Sequence, residues 1–576
     1  MLRPVLDVTE LNIVLSVLGL FMLICGLISL KVKQRWYLGE ALPAFVLGIL
    51  IGPEAVKFVN VAHWGPHKNA QSDVAYGFSR LVIGIQLVKA GYELPGKYLK
   101  QRFLEMAICL LPVMIIMWLV TAACIMLVIP NLTFLSSLVI GACVVCIDPV
   151  LSQGIAKGPF ADNYVRRPLR EFISAEAGGN DGVGFPFLLL AVALLRYAEA
   201  PDNTVSLAEF DLARGVPDLL SSSHVGRFGG GVGTALKHWG VEGVIYMVLM
   251  GFGYGALVGY GCRKLLNFAL KRKWVDNESF LLTPTAIGLF IVGTCGCVGS
   301  DETMACFIAG NALNWDGRYL AETEVRHDSF NPGIETLLNF GAFLFLGVVM
   351  PWDTFQMPQE TGITVLRLIG LGFMILLFRR IPAVLLAHPL LKRVCHDWKE
   401  ALFMGYFGPI GIGAIAYAEF AKRLFPHPGM SDAEINHLTA ALTPVVYWLV
   451  FFSIVVHGLS VPALNALYQF FRVPKIYDSP VEIVLLSDNE PLPNNSTADP
   501  QRHMAIVNNR FSRAPGDEGL VERNHPPHRS TMLHPEDALA GLHRSEEGWM
   551  TLQSPPRCRS SFVRKENDLI VMRDMA

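Results

Sequence analysis

Residues 171 to 188 read E-F-I-S-A-E-A-G-G-N-D-G-V-G-F-P-F-L, a hydrophobic stretch that nevertheless carries Glu176, Asn180 and Asp181. A second apolar stretch upstream, V-V-C-I-D-P-V-L, carries Asp148. Ionised carboxylates inside a bilayer are costly, and those that persist face a partner, a cavity or an ion path. Asp181 lies among Gly178, Gly179 and Gly182, and small neighbours let a helix or an ion approach closely. One buried carboxylate holds a proton or a metal cation but rarely both, which is enough to couple their movements. The plainer reading of Asp181 is a permanent salt bridge or a protonated, hydrogen-bonded acid.

Asp148 is followed by Pro149, which removes a backbone donor and breaks the helix. Irregular backbone at membrane depth is tolerated where it lines a cavity. The carbonyls it frees, with the carboxylate, are hard oxygen ligands suited to Na⁺ or Li⁺. Asp181 and Asp148 are therefore the candidate metal ligands, with Asn180 beside them. The alternative for Asp148 is a proline kink whose lower half it caps. A second break lies in G-Y-F-G-P-I-G-I-G-A-I-A, where Gly408, Pro409, Gly411 and Gly413 make a poor continuous helix. Paired interrupted spans point to inverted repeats around a binding site.

Glu176 shares a helix face with Asn180 and needs a cation. Arg380, beside Arg379 in an apolar span, is the candidate partner, in a structural pair; interfacial snorkelling is the alternative for the arginines. Asp301 and Glu302 would form an ion vestibule or cap a short helix. His457 is read as a structural hydrogen bond ahead of a pH sensor.

These residues need positioning elements, and the composition says which. The 576 residues are 52% hydrophobic and only 17% charged, far from a soluble protein of this size. The apolar residues come in blocks of about twenty, the length of a membrane-crossing helix. The fold class is an all-α polytopic membrane protein with about thirteen spans: 10–30, 40–60, 75–94, 104–129, 133–156, 171–196, 241–262, 281–299, 302–315, 334–350, 364–388, 400–422 and 435–470. The net charge of −2 says little, and nothing supports nucleic-acid binding. The eleven cysteines read as ordinary buried thiols.

Alternate loops carry the positive charge, among them Lys31, Lys33 and Arg35, then Lys97, Lys100 and Arg102, then Arg166, Arg167 and Arg170. The positive-inside rule then puts the N-terminus outside and the tail in the cytoplasm. Residues 1–473 form the membrane domain. Residues 474–576, rich in Pro, Ser, Asn, Arg and Asp, cannot bury enough surface to offset ordering and are expected to be disordered.

Several motifs together resemble the fungal plasma-membrane alkali cation/proton antiporters, within the monovalent cation:proton antiporter superfamily. They are Y-L-G-E-A-L-P-A-F-V-L-G-I-L-I-G-P, R-L-V-I-G-I-Q-L-V-K-A-G-Y-E-L-P, C-I-D-P-V-L-S-Q, R-E-F-I-S-A-E-A-G-G-N-D-G-V-G-F-P-F, D-E-T-M-A-C-F-I-A-G-N, G-P-I-G-I-G-A-I and V-H-G-L-S. The resemblance runs through nearly all of residues 10–470. It implies a homodimer with interleaved dimerisation and core subdomains. It implies that Asp181 binds cation and proton with Asn180 beside it, that Asp148–Pro149 marks the unwound helix, and that Glu176 pairs with Arg380. Two positions depart from the family pattern: Ile147 stands where Thr is common, and Asp301–Glu302 where fungal members often have Asp-Asp.

The expectation is therefore a secondary antiporter in the plasma membrane, not an enzyme and without cofactors. It would exchange cytoplasmic Na⁺ or Li⁺, with K⁺ as a third candidate, for external H⁺, giving salt tolerance and pH control. The alternative is a non-transporting cation or pH sensor that signals through its tail to unknown partners. An intramembrane aspartyl protease also needs two acids on neighbouring spans, but its Tyr-Asp and Gly-x-Gly-Asp signatures are absent from these stretches.

Overall fold

The computed structural model describes residues 9–30, 38–59, 70–156, 159–198 and 226–474, except 327, 329 and 428, with six short segments beyond residue 481. The chain forms two compact units, Met1–Lys475 and Ile476–Ala576.

Every named element of the first unit is a helix. The main ones are α1 Glu10–Leu30, α2 Ala41–Ile51, α3 Ala70–Tyr92, α4 Phe103–Val128, α5 Phe134–Cys143, α6 Pro149–Ala156, α7 Arg167–Ala198 and α8 Gly231–Lys271. They continue as α9 Asn277–Val298, α10 Glu302–Leu313, α11 Phe330–Val348, α12 Val365–Leu390, α13 Trp398–Tyr406, α14 Ile412–Leu424 and α15 Ala433–Phe470. Seven of them (α1, α4, α7, α8, α9, α12 and α15) are long and apolar enough to cross a membrane. The fifth expected span is two half-helices, α5 and α6, and the twelfth is α13 and α14. Each of the thirteen expected spans thus has a helical counterpart. A helix satisfies its own backbone hydrogen bonds, which is what permits a lipid-facing surface. α1 shows this plainly: Leu11, Leu15, Leu20, Leu23 and Leu27 all stand exposed.

α3 packs against α9, α10 and α14. α8 packs along α10 through a row of glycines, and α2 packs on α11. α7 touches α5, α6, α8 and α10, which sets its acid-bearing middle against both the first break and the start of α10.

In the second unit, six strands of three or four residues form two antiparallel sheets, in the orders β1-β3-β2 and β4-β5-β6. β1 to β3 are Glu482–Leu485, Ser496–Asp499 and Met504–Val507; β4 to β6 are Leu542–Arg544, Trp549–Leu552 and Val571–Arg573. The disorder expected of the tail falls, for the rest of it, outside the described residues.

Candidate cation site

Asp148 is the last residue of the break in the fifth span, immediately before α6. Its amide donates to the Pro409 carbonyl at 2.9 Å, so the two broken spans touch through backbone. Its Oδ2 accepts from the Leu151 amide at 3.2 Å and its carbonyl from the Ser152 amide at 3.1 Å. Asp148 therefore caps α6, where Pro149 fills a first-turn position that needs no donor. The cap uses only one oxygen; Oδ1 is buried and has no hydrogen-bond partner. The capping reading accounts for Oδ2 and leaves Oδ1 to be explained.

Asp181 is 1% exposed, in the middle of α7. Neither carboxylate oxygen has a hydrogen-bond partner. Its charged neighbours are two further acids, Asp148 and Asp301. Among the described residues none of these three acids has an ion-pair partner, an arrangement that a cation or protons would stabilise. Thr303 Oγ1 stands 3.2 Å from the Asp181 backbone carbonyl, and the Tyr417 hydroxyl donates to the same carbonyl. Pro186, inside α7, leaves the Gly182 carbonyl without its usual donor, so the helix is loosened beside the acid.

Asn180 is fully buried and braces the break. Its Oδ1 accepts from the Ile147 amide at 2.9 Å. Ile147 contributes this backbone contact whatever its side chain. Asp301 caps α10, its Oδ1 accepting from the Thr303 and Met304 amides at 2.8 and 3.1 Å, while Oδ2 is buried without a partner. Glu302 turns away and pairs with Arg80 on α3. The structure thus brings Asp148, Asn180, Asp181 and Asp301 together with Pro409 and leaves Glu302 at the edge. Among the described residues no cluster of three or more His, Cys, Asp and Glu side chains forms a ready metal cage.

Glu176 pairs with Arg380 at 2.8 Å, both nearly fully buried, and Arg380 Nε donates to the Met404 carbonyl at 3.0 Å. Gly408 is small for this arginine: a Cβ there would stand 2.4 Å from its Cδ. His457 contacts Ser453 and the Tyr406 carbonyl, a structural role. Arg379 was noticed in the sequence only as a charge in an apolar span, and Tyr417 escaped the sequence reading altogether. Arg379 donates to the Val144 and Gly408 carbonyls, one from each break. Tyr417 sits one turn beyond Gly413, and no pattern in the sequence separates it from the other aromatic residues.

A family model described as sodium/hydrogen exchanger, transmembrane, matches residues 19–466. The chain belongs to this family. Its fungal relatives include "Na(+)/H(+) antiporter 2" of Zygosaccharomyces rouxii, 33% identical over 80% of this chain and 53% of that protein. The "Na(+)/H(+) antiporter" of Saccharomyces cerevisiae is 32% identical over 80% of this chain and 44% of that one. This exchanger-family chain spans about half the length of those two. It also matches 97% of a "Na(+)/H(+) antiporter" of Schizosaccharomyces pombe, at 30% identity over 84% of its own length. The sodium proton antiporter MjNhaP1 of Methanocaldococcus jannaschii has the same fold, with a TM-score of 0.55 at 16% identity, over 80% of this chain and 99% of that one.

Proposed function

We propose that this chain is a secondary antiporter that exchanges Na⁺ or Li⁺, with K⁺ as a third candidate, for H⁺. One observation carries the reading: both Asp181 carboxylate oxygens are buried and lack hydrogen-bond partners, and the charges that bear on them are those of Asp148 and Asp301. Such a group needs a positive partner. A bare cation and a proton are the two that fit, and they exclude each other. Asp148 Oδ1 and backbone carbonyls at the two breaks would complete the cation's oxygen shell. Movement of the helices bearing the breaks would expose the loaded site to one side and then the other. The only bond made and broken in this cycle is the O–H bond of the protonated carboxyl, no cofactor takes part, and the proton gradient supplies the work. The printed names of the fungal relatives agree with the exchange of Na⁺ for H⁺.

The setting belongs to the same proposal. The chain works as a homodimer in the plasma membrane, with interleaved core and dimerisation subdomains. Its N-terminus lies outside and residues 474–576 in the cytoplasm, a reading supported by the alternation of positive loop charges.

The test uses sealed vesicles of purified protein with an internal pH dye and an imposed proton gradient. Na⁺, Li⁺ and K⁺ are added in turn to wild type and to Asp181→Asn. Cations should dissipate the gradient in wild type and not in the variant. A fully active variant would remove Asp181 from the mechanism. A wild type silent at every pH would favour the sensor reading.

A further inference from the structure

We propose that Arg379 is a positioning residue for cation exchange: its single guanidinium pins the C-terminal ends of both half-helices that stop inside the bundle, and so holds Asp148 in place. The inference rests on the exchange reading above and adds a residue to it.

The argument starts from the breaks. α5 ends at Cys143 and α13 at Tyr406, both inside the apolar bundle. The last carbonyls of a helix have no intrahelical donors and carry the negative end of the helix dipole. Buried in an apolar medium, each needs a partner. Arg379 is 3% exposed, and its two terminal nitrogens donate separately, one to the Val144 carbonyl that closes α5 and one to the Gly408 carbonyl just past α13. Among the described residues no carboxylate pairs with Arg379. Arg380 alone takes Glu176. A guanidinium at this depth is costly without compensation, and here two helix ends supply it. The planar fork suits two separated acceptors, which one ammonium does not reach in the same way.

The link to the acid is a short chain of bonds. Gly408, held by Arg379, precedes Pro409, whose carbonyl takes the Asp148 amide at 2.9 Å. Val144 lies on the other arm of the same break, four residues before Asp148. The unwound segment is held from its far side as well: the Ile410 amide donates to Ser453 Oγ at 2.7 Å, and Ser453 stands 3.1 Å from His457. The crossing is therefore clamped between α12 and α15, with Arg379 the one member of the clamp that reaches both broken spans.

The test compares wild type, Arg379→Gln and Arg379→Lys as full-length protein in sealed vesicles, with KM and kcat for Na⁺ and Li⁺, and unfolding temperature in detergent. The Gln variant should raise the cation KM by about tenfold, with kcat falling less, because the acids are intact but displaced. The Lys variant should recover most of that loss and keep a KM about twofold or more above wild type. A folded Gln variant with an unchanged KM overturns the proposal, as does one whose only change is a lower unfolding temperature. If the Gln variant does not fold, the Lys variant decides, and wild-type KM and kcat in it overturn the fork argument. A wild type that moves no cation overturns the exchange reading and this assignment with it. An exchanging wild type beside an unaltered Gln variant overturns this assignment alone.

Discussion

Gly411 and Gly413 show how closely the second broken span approaches the acids. A Cβ on Gly411 would stand 2.2 Å from Asp148 Oδ2, and one on Gly413 3.2 Å from Asp181 Oδ1. The first distance is impossible without displacement; the second needs a shift of a few tenths of an ångström. Gly411→Ala is therefore expected to lose exchange almost entirely, and Gly413→Ala to keep measurable turnover with a raised cation KM. Initial rates in vesicles rank the two, and the reverse order would mean the acids lie elsewhere. The buried Glu176–Arg380 pair makes a separate prediction. Glu176→Gln leaves a guanidinium uncompensated inside the bundle and should cost about 3–5 kcal/mol, read as a large loss of unfolding temperature in detergent. At this scale the acids were legible because a carboxylate in an apolar stretch is conspicuous. Arg379 was visible as a charge, yet its acceptors are two backbone carbonyls, and those have no letter in a sequence.

Between elements, α8 meets α10 through Gly251, Gly255 and Gly259, one turn apart. Cβ atoms on Gly255 and Gly259 would stand 2.3 and 2.2 Å from the Ala305 and Ala309 carbonyl oxygens. Without a hydrophobic drive between membrane helices, such close backbone approach is a main source of association. Gly255→Val should separate α8 from α10 and shift Asp301 and Thr303, lowering both unfolding temperature and exchange. A variant as stable as wild type would contradict the packing. The spacing can be read in the sequence; the identity of the partner helix cannot. Asp432 gives a pH prediction outside the spans. It caps α15 and accepts from Arg227 at 2.5 Å. Burial pushes its carboxyl up, but Arg227 and the Ile435 amide outweigh this and hold it below its usual value. The stabilisation is therefore present above the unfolded value of about 3.9 and is lost as pH falls through the lower folded value. The pair is part-buried, and Arg227 keeps Glu434 as a second partner, so Asp432→Asn should cost only about 0.5–1 kcal/mol at neutral pH. The difference from wild type should fade below about pH 4, as thermal unfolding at both pH values would show.

At the scale of the molecule, the candidate site lies wholly within Met1–Lys475, and the tail forms its own unit. Removing residues 476–576 should leave vesicle exchange within about twofold of wild type, since Asp148, Asn180, Asp181 and Asp301 all belong to the first unit. A tenfold loss would make the tail part of the transport cycle.

Composition and block length were enough to determine a polytopic helical membrane protein, because each apolar block of about twenty residues has one stable state in a bilayer. Two interruptions, at Asp148–Pro149 and Gly408–Pro409, were also readable, since proline and clustered glycine break helices by local chemistry. What only the tertiary structure decided is which loose ends meet. It set the Asp148 amide on the Pro409 carbonyl, turned the Asn180 oxygen to the Ile147 amide, and put Asp301 rather than Glu302 beside Asp181. These contacts span up to about 260 residues of chain and mostly involve backbone atoms. Helix packing selects them, and no local pattern records it.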